Sequence, residues 1–262
     1  MQSKLVVIAV SLAVLSAITS IESGIRTQDN EKPASVGRIE GSAKALAVVD
    51  KVRAALGGAD RLAAVRSLLI EGTSRGEAFT YRLLLPDRFQ HVLPGYTFTV
   101  SGSESYWQRP DPGETVKAEA RLRKIALFAE QSLTLLMRTP SSVPIKASLP
   151  KPMNAGGLEL FFSGPNGFGR LMFIDPFTFR PKGYLYAVSV TGAECTDDGP
   201  VPIDLGKGTM RYTFDEFGQV GGIWFPMRLT LEMTGGGRTS AFQIEQTIRV
   251  NEGVSADAFK ER

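Results

Sequence analysis

Between Thr209 and Met233 the chain reads TMRYTFDEFGQVGGIWFPMRLTLEM. Met210, Tyr212 and Phe214 alternate with polar neighbours. A run of turn formers follows from Asp215 to Gly222. Then Ile223, Phe225, Met227, Leu229, Leu231 and Met233 share one face, and Trp224, Pro226, Arg228, Thr230 and Glu232 share the other. Successive strand side chains point to opposite faces, so the second segment is a strand with one apolar and one largely polar face. Such strands belong to antiparallel sheets. Pro226 has no N–H to give a ladder, which predicts an edge or a bulge at that point.

The pattern recurs at once. Phe242, Ile244, Ile248 and Val250 line one face of the segment Ala241 to Val250, interrupted only by Gln246. Gly235-Gly236-Gly237 between the two strands predicts a hairpin loop. The C-terminal third is therefore a meander of long one-sided strands. Its apolar face has to meet a second layer or a ligand.

Upstream, Ser42 is a predicted N-cap for a helix over Ala43 to Leu56, stopped by Gly57-Gly58. Ala45, Val48, Val49, Val52 and Leu56 form its apolar face. Strand signals follow at Ser67–Thr73, Phe79–Leu85, Arg88–Leu93, Tyr96–Val100 and Glu104–Gln108. From Lys117 to Arg138 the period becomes helical, with an apolar stripe wider than one core contact needs. Pro140, Pro144, Pro150 and Pro152 predict an irregular connection. Strands resume at Leu158–Phe162, Arg170–Asp175, Gly183–Val190 and Gly208–Phe214. The polar tail offers Val254 and Phe259 to pin it down. The fold class expected is α+β, mainly β: a large curved antiparallel sheet of about eleven strands, forming an unclosed barrel with helices covering the inner face.

Residues 1–20 read as a signal peptide, with Lys4 before an apolar run too short for an ordinary membrane span. Cleavage and retention as an N-terminal anchor both stay open. Residues 21–41 read as a disordered spacer, and 42–262 as one domain in a chain of 262 residues. The expected location is the periplasm.

Catalytic chemistry finds little to use. The chain has one His and one Cys, so no metal centre, no cofactor and no thiol–imidazole pair is expected. His91 is taken as out of phase with Phe89 and Leu93, and so as a surface or interface residue and not a general base. Cys195 is placed in a polar loop, far from any N-terminal acylation site. Asp197, Asp198, Asp204 and Glu194 lack calcium-loop spacing. Asn166-Gly167-Phe168-Gly169 is a turn with no phosphate-loop partner motif. A net charge of +3 with no dense basic stripe gives no case for nucleic acid. The expectation is a non-catalytic protein.

Several segments occur in an order that resembles a known family. They are the helix ending Ala55-Leu56-Gly57-Gly58, the strand from Ser67, and the turn Leu84-Leu85-Pro86-Asp87-Arg88. Gly221-Gly222-Ile223-Trp224-Phe225-Pro226-Met227-Arg228 and the closing Ile248-Arg249-Val250-Asn251…Phe259 complete the set. Together they resemble the periplasmic lipoprotein-carrier (LolA/LolB-like) superfamily over nearly all of residues 42–262. The resemblance implies a lidded, unclosed barrel whose hollow takes acyl chains of lipids or lipoproteins, with transient contacts to membrane proteins. It makes 117–138 the lid, with Phe128, Leu133 and Leu136 facing the hollow and Phe225, Met227 and Leu229 opposite. No arginine matches the family's lid-holding residue by motif. A β-rich sensor or interaction module, its groove recognising a protein segment, is the alternative reading. On the carrier reading, Leu133→Glu abolishes acyl binding and spares the fold; unchanged binding in a fluorescent fatty-acid titration would count against this helix as the lid.

Overall fold

A computed structural model describes residues 39–102, 104–108, 115–117, 136, 145–149, 157–163, 169–196, 199–235 and 237–260. The signal-peptide reading and most of the spacer lie outside these residues, as do Phe128, Leu133 and nearly all of the expected lid helix.

The strands are β1 (Ile39–Gly41), β2 (Ser67–Ser74), β3 (Glu77–Leu84), β4 (Arg88–Leu93), β5 (Tyr96–Ser101), β6 (Glu104–Gln108) and β7 (Thr115–Lys117). Then come β8 (Ile145–Ser148), β9 (Leu158–Ser163), β10 (Gly169–Ile174), β11 (Pro181–Thr196), β12 (Gly199–Val220), β13 (Ile223–Gly235) and β14 (Arg238–Val250). They form one 14-stranded sheet in the order β1-β8-β9-β10-β11-β12-β13-β14-β2-β3-β4-β5-β6-β7. The edges, β1 and β7, are three residues each. They stand at opposite ends of the strand order, so the sheet is not closed. Short edge strands leave few unpaired backbone groups for another chain to add to.

Each of the strands expected from alternation is present. Four differences have physical causes. Ile39–Gly41 falls in the expected spacer yet pairs with β8, and this pairing is parallel whereas the other described ones are antiparallel. β7 and β8 are too short to show a period, and Lys117 ends β7 rather than beginning a helix. β12 runs on through Asp215–Val220, so the turn shrinks to Gly221-Gly222. Cys195 lies on β11 opposite Pro200, not in a loop.

Pro226 shows how the ladder absorbs a missing donor. β13 is interior, not an edge. Its register with β12 shifts on both sides of Glu216, and its pairing with β14 begins only at Arg228 opposite Glu245. The Gln246 side-chain amide donates to the Pro226 carbonyl at 2.7 Å. The one polar interruption on that face of β14 thus serves the backbone where the ladder parts.

Helix α1 (Ala43–Leu56) starts at Ser42, whose hydroxyl accepts from the Ala45 N–H at 3.2 Å. It ends at Gly57, with a φ of 134°. A Cβ on Gly57 would lie 2.5 Å from the Gly222 carbonyl oxygen, so this glycine lets the helix end close onto the β12–β13 turn. Ala45, Val49, Val52 and Leu56 are buried. Together with Leu62 of the short helix α2 (Ala59–Ala63), they pack against Leu68, Phe89, Leu160, Phe162, Met172, Ile223 and Phe225 on the sheet. This is the larger core.

The opposite face is covered locally by the C-terminus. Phe259, on a 3-10 helix over Ala256–Phe259, is 2% exposed. The Tyr106 hydroxyl donates to its carbonyl at 2.9 Å, and Gln90 Nε2 donates to the Ala258 carbonyl at 2.7 Å. Tyr106 and Gln90 point away from the Phe89 side of β4 and β5, so the tail is pinned to the outside of the sheet. Phe259→Ala is expected to cost about 3 kcal/mol in urea unfolding. A loss near zero would show that the tail adds no packing.

Candidate functional site

Apolar side chains on the inner face divide into two clusters along the strands. The first is the core under α1 and α2. The second contains Phe79, Tyr184, Met210, Leu229, Leu231, Phe242 and Ile244, every one a strand residue. Neither described helix contributes to it. Ile70, Tyr81, Leu93, Tyr212, Phe214 and Met233 pack around it and are only half-buried.

Register explains how these residues meet. Leu229 faces Ile244 and Leu231 faces Phe242 across β13 and β14. Met210, Tyr212 and Phe214 on β12 sit opposite Met233, Leu231 and Leu229. Tyr184 on β11 is opposite Tyr212, and the two rings stack at 4.5 Å. On the far side of β2, Gly72 is paired with Phe79, and a Cβ there would come within 2.7 Å of the Phe79 ring. The glycine lets that ring lie flat across the sheet.

Aromatic rows flank this aliphatic middle. Across β3–β5, Phe79 meets Tyr81 edge-on at 5.2 Å, Tyr81 stacks on His91 at 4.0 Å, and Phe89 meets Phe98 at 6.3 Å. Across β11 and β12, Tyr184 meets Phe214 at 5.7 Å. Contacts of this kind favour offset and edge-to-face geometries, as seen here.

Two polar residues lie among these rings. His91 is 6% exposed, on the same face as Phe89. This corrects the sequence reading: residues two apart on a strand share a face, so His91 is in phase with Phe89 and Leu93 and not on the surface side. Burial pushes its imidazole down to about 3. Arg170 alternates with Met172 and Ile174 and is fully buried, its guanidinium 4.5 Å over the Tyr184 ring. Nothing in the sequence marked it, because its neighbours on β10 alternate like any half-buried strand.

The residues expected to face a hollow separate. Leu136 and Phe225 are buried in the α1 core, and Met227 packs against that core. The Leu136 carbonyl accepts from Arg53 Nε at 2.8 Å. Leu229 alone belongs to the second cluster. Shared parity put Phe225 and Leu229 on one face, correctly. It said nothing of how far along the strand α1 reaches.

The described surface also has two clefts of about 330 Å³, one beside α2 and the ends of β13 and β14, the other around Glu71, Glu216, Arg228 and Glu245. Neither is lined by the second cluster. Among the described residues no three His, Cys, Asp or Glu side chains gather as metal ligands would. No described helix is long and apolar enough to cross a membrane.

No family model matches the chain, and no curated protein matches it. Solved structures do align. A DUF1329 family protein from Desulfovibrio piger is 12% identical, with a TM-score of 0.49 over 82% of this chain and 97% of that one. A LolA superfamily protein from Nitrosomonas europaea is 12% identical, with a TM-score of 0.46 over 83% of this chain and 97% of its own. A domain ascribed to outer membrane lipoprotein sorting, from Vibrio parahaemolyticus, is also 12% identical, with a TM-score of 0.46 over 82% and 96%.

The single histidine gives the inner face a pH signature. With the folded value near 3 and an unfolded value of about 6.5, the unfolded chain binds the extra proton between them. The His91 contribution is therefore complete above about pH 6.5 and is lost as pH falls toward 3. Urea unfolding is expected to show about 2 kcal/mol less stability from this group at pH 5 than at pH 7. His91→Phe keeps a stacked ring and should remove that difference. An unchanged difference would place His91 in contact with water.

Proposed function

We propose that the chain is a non-catalytic carrier whose inner face binds the acyl chains of lipids or lipoproteins. The observation that carries this reading is the second apolar cluster. It is built only from strands, and its margin of Ile70, Tyr81, Leu93, Tyr212, Phe214 and Met233 is half-buried. The α1 core has half-buried neighbours as well; what sets the second cluster apart is that neither α1 nor α2 packs over it. An acyl chain needs an apolar wall with length along the strands and no titratable groups converging on it. Each buried CH₂ is worth about 0.8 kcal/mol, so a chain of about 14 carbons supplies around 10 kcal/mol gross. Uncovering whatever shielded that surface beforehand reduces the net.

On this reading Leu229 keeps its assigned role, and Leu231, Phe242 and Ile244 extend the same wall. Phe225 and Leu136 act by packing α1. Phe128 and Leu133 remain lid positions proposed from the sequence. The proposed setting is the periplasm, after export.

Native mass spectrometry of the exported protein, followed by organic extraction, is expected to reveal bound acyl species. Met233→Glu should weaken fluorescent fatty-acid uptake by more than tenfold with an unchanged circular dichroism spectrum. A ligand-free mass together with no uptake of added lipid would overturn the carrier reading and favour a groove for protein segments.

A further inference from the structure

The β10–β11 loop presents an aromatic ring to solvent on a rigid support. Phe177 is 90% exposed; the other exposed large hydrophobic residue among those described, Leu149, is 37% exposed. Scattered surface apolar residues are common. What distinguishes Phe177 is that its loop is fastened from both ends. The Asp175 carboxylate accepts from the backbone N–H groups of Phe177 and Thr178, at 3.0 and 2.9 Å. The Phe179 N–H donates to the Asp175 carbonyl, and the Asp175 N–H to the Arg180 carbonyl, both at 2.9 Å. Phe179 holds a φ of 57° and turns back toward the core, with which it packs. These contacts hold the loop closed with Phe177 outside it.

Cations lie at the base of the loop. Lys51 Nζ lies 4.6 Å over the Phe179 ring, and the Arg180 guanidinium 4.2 Å over Trp224. Lys182, its side chain 63% exposed, pairs with Asp175 at 3.2 Å. Asp175 is the one loop carboxylate. Its backbone donors, with Lys182 behind them, hold it down at about 2, so the fastening stays charged at any ordinary pH.

We propose that the Phe177 loop docks the protein on bilayers that carry anionic lipids, with the Phe177 ring entering the acyl boundary and Lys51, Arg180 and Lys182 meeting lipid phosphates. A convex tip with one apolar ring offers far less area than the roughly 800 Å² per partner of a stable protein interface. A deformable, negatively charged surface suits it: aromatic rings favour the interfacial zone, and basic side chains add electrostatic attraction that salt screens. This site is separate from the proposed acyl-binding wall, and its test reads a position on the loop.

The experiment uses Phe177→Trp with vesicles of phosphatidylcholine, with and without phosphatidylglycerol, and brominated lipids as quenchers. Wild type supplies the background of Trp107 and Trp224. The emission added by the substitution should shift to the blue and be quenched on phosphatidylglycerol vesicles, and Lys51→Gln or high salt should weaken this. Phe177→Ser should lower vesicle partition by about tenfold, roughly the worth of burying one aromatic ring. Emission indifferent to the vesicles, or equal partition of wild type and Phe177→Ser, would overturn the proposal. Equal quenching on vesicles without phosphatidylglycerol would overturn the anionic requirement.

Discussion

Everything in this fold depends on how a very wide, one-sided sheet disposes of its inner face. Helix α1 has 14 residues, which span about 21 Å. Strand β12 has 22 residues, which span about 70 Å if fully extended. The described helices can cover only one end of such strands. There the packing is complete, with Ala45, Val52, Leu56, Val100, Phe162 and Met172 at or near zero exposure. Further along, the apolar face continues without them.

That continuation links packing to function. Leu229, Leu231, Phe242 and Ile244 are as apolar as the core, yet neither α1 nor α2 packs over them. His91 stays neutral, stacked on Tyr81, which adds polarity only at the edge. On the proposed carrier reading, such a surface would recognise length and greasiness, not a functional group. That is the specificity the proposed binder of chains would need.

Much of the fold was legible because period two survives wherever one face is buried and the other wet. Leu158–Phe162 and Ala241–Val250 needed no more than that. β12 misled because Asp215, Glu216, Gly218 and the paired glycines look like a loop; the ladder to β13 overrides local preference there. β1, β7 and β8 are too short to carry a period. At the site, Leu229 was legible by face. The partition between Phe225 and Leu229 was not, since it depends on where α1 stops against the Gly221-Gly222 turn. Arg170 had no sequence signal at all, and His91 required only that its position be counted correctly.

The most direct measurement is photo-crosslinking of the purified protein with a diazirine-bearing fatty acid, mapped by peptide mass spectrometry. The account predicts adducts on the inner-facing residues of β3, β13 and β14, around Phe79, Leu231 and Phe242. Adducts confined to outward-facing residues such as Arg228 and Thr230, or no adducts above the level given by unfolded protein, would contradict it.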